Sequence, residues 1–203
     1  MMKKLFTALF LMLGIALPAC AANDNPVDLV RDTSRQVLDI LKQENGKNTA
    51  KIRDQVEALV LPKFDFRRMT ALALGKNWRV ASPDQQNEMT AQFQLLLIRT
   101  YSSTMTRFKN AQVDVKPSAN IYNNGQEASV HSDIALPNSN DKKTVSVDYI
   151  LYRTAQGWRV YNINVEGASL VTVYRNQFDA DVRAHGIDGL IKSLKDKNGG
   201  KGA

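Results

Sequence analysis

The sequence predicts an α+β fold, in which a twisted antiparallel sheet of four to five strands is wrapped by about six helices. Apolar residues recur every three or four positions as far as Phe108, the spacing of helices that bury one side. From Ala111 to Glu166 the period is two, and the links between the alternating runs are too short for parallel crossovers. Helical spacing then returns. We therefore expect helices, then a meander sheet, then helices, with the helices packed over one curved face of the sheet.

Local signals place the helix boundaries. Asn25-Pro26 predicts the first helix start, because proline fits the first helical position. Ser82 and Gln85 form a capping box that predicts the start of a long helix. We expect helices from Pro26 to the Glu44–Asn48 segment, over about 49–60, 66–74 and 83–108, and later over 169–185 and 188–196.

Strands follow from the alternating segment. We expect them at 111–116, 119–122, 127–136, 144–153 and 157–166. Asn123-Asn124-Gly125 is the clearest turn between them, because these residues accept positive φ angles, and 138–142 predicts a looser turn.

The last predicted strand and the helix behind it, residues 157–178, are unusually apolar. Strict alternation places Trp158 and Val160 on one face and Tyr161, Ile163 and Val165 on the other. A strand that is apolar on both faces is buried on both, or lines a cavity. The segment therefore indicates a container wall rather than a reaction centre.

The first 21 residues are typical of an export signal. Lys3 and Lys4 precede an apolar run, Leu5 to Leu17, which is short for a membrane span, and Ala19 and Ala21 give a small-residue cleavage site. A lipoprotein signal with acylated Cys20 is the alternative, and the mass of the mature N-terminus distinguishes the two. We expect one domain over 22–197 and a flexible glycine-rich tail over 198–203.

Composition argues against several function classes. The chain has 27 basic and 20 acidic residues, a net charge of +7. An exported protein does not meet nucleic acid, so the basic residues form either a solvated surface or an attraction to lipid phosphates. Cys20 is the single cysteine, and it leaves with the signal peptide. We expect no metal and no cofactor, because the sequence contains neither a ligand cluster nor a glycine-rich phosphate loop.

An enzyme is the second reading of the same fold class. His131 and His185 are far apart in the sequence, and Asp133 and Asp148 have the parity of an outward polar face. An isomerase or hydrolase on a cone fold predicts instead a buried carboxylate with a raised pKa among the pocket aromatics. A lipid-anchored envelope protein with a filled core is the third reading. We expect a protein that is not an enzyme.

Four segments in order, FDFRRMTALALGKNW at 64–78, ASPDQ at 81–85, GWRVYNINVEGASLVTVYRNQF at 157–178 and GIDGLIKSL at 186–194, resemble the MlaC or toluene-tolerance auxiliary family. Its members are periplasmic phospholipid-binding proteins of the Mla system in Gram-negative bacteria. The resemblance implies a cone with an internal apolar cavity, similar to nuclear-transport-factor-2 and cystatin-like folds. It also implies a carrier that shuttles phospholipid between the outer and inner membranes to maintain outer-membrane lipid asymmetry. It also implies two partners: an outer-membrane lipoprotein–porin complex and an inner-membrane ABC transporter complex with a lipid-binding ring.

The resemblance also directs the choice of ligand contacts. Tyr101 falls where the family has an aromatic residue on its long helix, and Ala168 falls in a turn at the family's cavity wall, where valine is common. Glu166-Gly167-Ala168 is a plausible hinge, because glycine accepts the torsions that loading requires. The residues expected to contact acyl chains are Leu97, Tyr101, Met105, Tyr149, Leu151, Ile163, Val165, Ala168, Val173 and Phe178.

Overall fold

The computed structural model describes residues 25–102, 108–136 and 144–200, and within these ranges it confirms the α+β class. Helices pack beside and over a single antiparallel sheet. The elements are α1 Pro26–Leu41, α2 Thr49–Val60, a 3₁₀ turn Leu61–Lys63, α3 Phe66–Leu74, α4 Lys76–Val80, α5 Pro83–Ser102, β1 Gln112–Tyr122, β2 Glu127–Ala135, β3 Thr144–Thr154, β4 Gly157–Val165, β5 Ala168–Ser169 and α6 Leu170–Asn198. Gly186, with a φ angle of 70°, breaks α6 into two helical parts, as the two predicted helices require.

The predicted helix starts are confirmed by their capping bonds. The Asn25 side chain accepts a hydrogen bond from the Val27 N–H at 2.9 Å. Ser82 and Gln85 cap each other: the Gln85 N–H donates to Ser82 Oγ at 3.2 Å, and the Ser82 N–H donates to Gln85 Oε1 at 3.0 Å. Helix α4 was not expected, because five residues are too few for an apolar period to register.

The sheet is an antiparallel meander in the order β1-β2-β3-β4-β5. Asn123 and Asn124 have φ angles of 49° and 53°, which confirms the predicted turn. Glu166 and Gly167, at 51° and 79°, form a two-residue hairpin turn between β4 and β5, since both central residues have positive φ. The two strands expected at 111–116 and 119–122 are one strand, whose register shifts between Val115 and Ala119.

The predicted alternation of side chains between the two faces of β4 is wrong beyond Val160. Leu151 pairs with Val160 and Ile150 pairs with Asn162, so Tyr161 is an extra residue in a β-bulge. A bulge reverses the alternation, and Ile163 therefore faces the same side as Val160. Tyr161 faces the opposite side, where it packs against the helical core.

Two large cores are buried within the described residues, together with a small cluster of Leu41, Ile52 and Val56 between α1 and α2. On one face of the sheet, which we call the inner face, Val27 and Val30 of α1 pack against Val130, Leu151 and Val160. Helices α3, α5 and α6 form the second core beside the edge of β4.

Aromatic rings occupy the centre of this helical bundle. Phe93 contacts Tyr174 and Phe178 edge to face, with ring centroids 4.9 Å and 5.1 Å apart. At its end, the Asn198 side chain donates to the Gln92 carbonyl at 2.9 Å and fastens α6 to α5.

A short extended segment, Phe64-Asp65, joins the two cores. The Asp65 N–H donates to the Val160 carbonyl at 2.9 Å, and Phe64 forms a parallel bridge with Val160. The Asp65 carboxylate caps α3 by accepting the Arg68 N–H at 2.8 Å, and it also accepts the Tyr152 hydroxyl. One carboxylate therefore fixes both the start of α3 and its position on the sheet.

Arg68 reinforces the same joint. Its guanidinium lies 4.1 Å from the ring centroid of Tyr152 and 4.4 Å from that of Tyr161. The same group bonds Glu127 at 2.6 Å. Strands β2, β3 and β4 are thereby tied to α3 through one side chain.

Replacing Asp65 with alanine should destabilise the fold by about 2–4 kcal/mol, because both the helix cap and the hydrogen bond to Tyr152 are lost. Urea unfolding measures the change. Asp54→Ala, an exposed position on α2, is the matched control and should cost less than about 0.5 kcal/mol. Equal losses in the two variants would contradict the role assigned to Asp65.

Charged groups occupy the other, outer face of β1–β3, as their parity predicts. His131 Nδ1 lies 2.6 Å from Asp148 and its Nε2 lies 3.3 Å from Asp133, while Lys116 contacts both Asp133 and Asp114 at 2.7 Å. The hydrogen bond to Asp148 raises the pKa of His131, and Lys116 lowers the pKa of Asp133.

This network predicts a small pH dependence of stability. Because the folded-state pKa of His131 is raised, its stabilising contribution is complete below the unfolded pKa of about 6.5 and declines as pH rises through the folded value. His131→Gln should lose less than about 1 kcal/mol, since the pair is partly exposed. Urea unfolding at about pH 5.5 and about pH 8.5 should show a larger gap from the wild type at the lower pH. An equal gap at both pH values would contradict the prediction.

Candidate functional site

Two apolar cavities lie on either side of the segment that joins the cores. The larger chamber, of about 290 Å³, lies between α1, α2 and the inner face of the sheet. Helix α1 supplies one long wall, because its apolar positions recur at helical spacing and face the sheet. The lining includes Leu29, Val30, Ser34, Val37, Leu38, Val56, Val60, Lys63, Phe64, Ile134, Tyr149 and Val160.

The smaller chamber, of about 170 Å³, lies between the end of α2, α3, α5 and the start of α6. Its walls are also almost wholly apolar. The lining residues are Glu57, Val60, Leu61, Phe64, Phe66, Met69, Leu97, Ile98, Tyr101, Ile163 and Leu170. Val60 and Phe64 line both chambers, so the two cavities are neighbours that share a wall.

The phenol of Tyr149 is the main polar feature on the sheet side of the larger chamber. Its hydroxyl is hydrogen bonded with Ser34 of α1 and Ser132 of β2, and burial raises its pKa. The phenol is therefore neutral at physiological pH, and its polar group is satisfied by the two serines. The wall presents no charge at this point.

Four of the predicted contacts line a chamber. Leu97, Tyr101 and Ile163 line the smaller chamber, and Tyr149 lines the larger one. Leu151 and Phe178 are elsewhere: Leu151 is fully buried in the sheet core, and Phe178 is 2% exposed in the helical bundle. Met105 lies outside the described residues.

The three remaining predicted residues, Val165, Ala168 and Val173, line neither chamber. Tyr101, Val165 and Val173 are 43%, 42% and 45% exposed. Val165 pairs with Ala168, which is two residues before the lining residue Leu170. Tyr101 also bonds Tyr174, the neighbour of Val173. We call Tyr101, Val165, Ala168 and Val173 the apolar rim.

The sequence-based site missed the α1 and α2 walls and Phe64. The signal for α1 is its apolar stripe, which includes Val30, Val37 and Leu38. A stripe of this kind does not distinguish a face that packs in a core from one that borders a cavity. Phe64 carries no local signal, because its position depends on the bridge to β4.

The carboxylates considered for catalysis lie away from both chambers. Asp133 and Asp148 are on the outer face of the sheet, and the pKa of Asp133 is lowered rather than raised. Among the described residues that line the chambers, Glu57 is the carboxylate, and it lies 3.9 Å from Arg53. The geometry suits apolar binding rather than proton transfer.

The part of the chain that the structure describes shows neither a cluster of metal ligands nor a helix that could span a membrane. No group of three or more histidine, cysteine or acidic residues there is arranged to hold a metal ion. No helix within 25–102, 108–136 or 144–200 has the length and apolar character needed to cross a membrane.

Comparisons with known proteins agree on one family. Residues 31–196 match the family model described as MlaC protein. The chain is 24% identical over 171 residues to the toluene tolerance protein ttg2D of Pseudomonas putida, covering 82% of this chain and 77% of that protein. It is also similar to the solved structure of a phospholipid-binding protein from Ralstonia solanacearum in complex with a phospholipid. That match has 30% identity and a TM-score of 0.71, and covers 84% of this chain and 95% of the other. The chain belongs to the MlaC family.

Proposed function

We propose that this protein is a periplasmic phospholipid carrier that is not an enzyme, and that it shuttles lipid between the outer and inner membranes to maintain outer-membrane lipid asymmetry. The observation that carries the proposal is the pair of adjoining apolar chambers with an exposed apolar rim. The similar Ralstonia solanacearum protein was solved with a phospholipid bound, which supports the same cargo here.

Hydrophobic transfer energies explain why a carrier needs such chambers. A diacyl phospholipid hides about 30 methylenes, whose exposure to water costs roughly 25 kcal/mol at ~0.8 kcal/mol each. Spontaneous passage through an aqueous compartment is therefore very slow. Burying the tails makes transfer from a bilayer nearly neutral, so that it can run in either direction.

The apolar rim is the entry that we propose for the tails. Exposed apolar side chains at a cavity edge favour contact with an apolar surface, and Tyr101 belongs to both the rim and the smaller chamber. The head group remains in water at this edge. The turn at Glu166-Gly167 lies beside Ala168 and is the proposed hinge, because both residues already have positive φ.

Direction requires energy from outside this chain. We propose docking to an outer-membrane lipoprotein–porin complex at one end of the route. At the other end the partner is an inner-membrane ABC transporter complex with a lipid-binding ring, where ATP hydrolysis supplies the energy. Family membership supports these partners.

Lipid extraction tests the cargo. Protein purified without detergent should release diacyl phospholipid in near-stoichiometric amount on organic extraction, measured by lipid mass spectrometry. The physical reason is that leaving the chambers exposes the tails to water. A clean blank after gentle purification would contradict the carrier.

Charge at the rim should prevent lipid retention without unfolding the protein. Tyr101→Asp and Ala168→Asp each place a carboxylate where the tails enter, and burying that carboxylate against lipid costs several kcal/mol. We expect at least about a tenfold drop in bound lipid. Val80→Asp is the matched control, because Val80 is 76% exposed on α4 and lines neither chamber. Unchanged retention in both rim variants would refute the placement.

A further inference from the structure

Phe64 stands where three cavities meet. It lines the larger chamber, the smaller chamber and a third, polar cleft of about 400 Å³ that also contains Asp65, Arg67 and Tyr152. Val60 lines both apolar chambers but not the cleft. Phe64 and Val60 are therefore the residues that the two apolar chambers share, and Phe64 is the larger of the two side chains.

The main chain at this position is held from both sides. The Phe64 N–H donates to the Leu61 carbonyl at 3.2 Å, and the next N–H, of Asp65, donates to the Val160 carbonyl at 2.9 Å. The ring stacks on Phe66, with centroids 5.7 Å apart and an interplanar angle of 21°. The main chain of this wall is consequently fixed in the fold, and the wall changes by rotation of the Phe64 side chain.

A wall of this kind restricts what can fill both chambers. An occupant of both has to lie on the two sides of the Phe64 ring. Two separate slender chains meet that requirement by straddling the ring, whereas one thick group does not. Close-packed protein interiors respond to a change of even one methylene, so a phenyl ring at the junction is a strong shape filter.

We propose that Phe64 is a specificity-determining residue. It separates the two acyl chains of one lipid, one in each chamber, and excludes acyl groups too thick to lie beside its ring. This inference rests on the proposed phospholipid-carrier function and names the cargo more narrowly, as lipids with two slender chains. A hydrophobic pocket discriminates by shape in this way when a larger group cannot be accommodated without distortion.

The chain supplies a matched control in Phe66. It is the same residue type, stacks directly on Phe64, and lines the smaller chamber and the cleft. The larger chamber does not include Phe66 in its lining. A substitution of Phe66 therefore enlarges one chamber without joining the two.

Competition between two lipids tests the partition. Delipidated protein is offered phosphatidylglycerol with two palmitoyl chains together with phosphatidylglycerol in which one chain carries a terminal pyrene. The wild type should prefer the unmodified lipid. Phe64→Leu and Phe64→Ala should reduce this preference by about tenfold or more, because the wall is opened. Phe66→Leu should change the ratio much less than Phe64→Leu, because it leaves the shared wall between the chambers intact.

The readout is a ratio, so a loss of stability that weakens both lipids equally does not move it. Circular dichroism checks whether each variant folds. If Phe64→Ala does not fold, Phe64→Leu, which keeps most of the apolar volume, tests the partition instead. An unchanged ratio in Phe64→Leu, or an equal change in Phe66→Leu, would overturn the partition alone. Failure of the wild type to take up either lipid would overturn the carrier function and the partition with it.

Discussion

The hydrogen bond from the Asp65 N–H to the Val160 carbonyl is the contact on which the rest of the molecule depends. It attaches the chain to the edge of β4 at the point where it leaves the helices that cover the sheet and enters the helical bundle. The carboxylate of the same residue starts α3 and receives the Tyr152 hydroxyl. Since both chambers border this crossing point, their shape depends on where this short segment lies.

The cavities follow from having two cores instead of one. The sheet core around Val130 and Leu151 is fully buried, and so is the bundle core around Phe93. Each is packed within itself. The smaller chamber lies between these two cores, and the larger one lies between the sheet core and the small cluster that joins α1 to α2. An apolar occupant of these chambers gains dispersion contacts with the atoms that line them. Binding of that occupant then stabilises the protein by mass action.

The sequence contains the local features of this fold but not the tertiary ones. The Ser82–Gln85 box and the Asn123-Asn124 turn were predictable, because each depends on residues within three positions of one another. The bulge at Tyr161 was not, since an alternating pattern gives no sign of an inserted residue. Strict alternation therefore placed Ile163 on the face opposite Val160, whereas the two residues share one face of the sheet.

In the candidate site, too, the residues with a local sequence signal were predictable and those placed by tertiary contacts were not. Leu97, Tyr101 and Ile163 come from a helix and a strand whose apolar periodicity is visible in the sequence, and they line the smaller chamber. Phe64 was missed as a site residue because its importance lies in a bridge to a strand almost one hundred residues later. Phe178 has the same helical spacing as a cavity residue, yet its neighbours are other rings of the bundle. Periodicity reports burial, and it does not report whether the buried neighbour is protein or empty space.

The two chambers are bounded largely by different helices and strands, so most of their lining residues can vary independently. The larger chamber is bounded mainly by α1, α2 and the sheet, and the smaller one by α3, α5 and the start of α6. A change on the inner side of α1, such as at Val37, alters one compartment without touching the packed rings of Phe93 and Tyr174. Evolution or engineering can therefore adjust one chamber at a time at positions outside the wall that Val60 and Phe64 share.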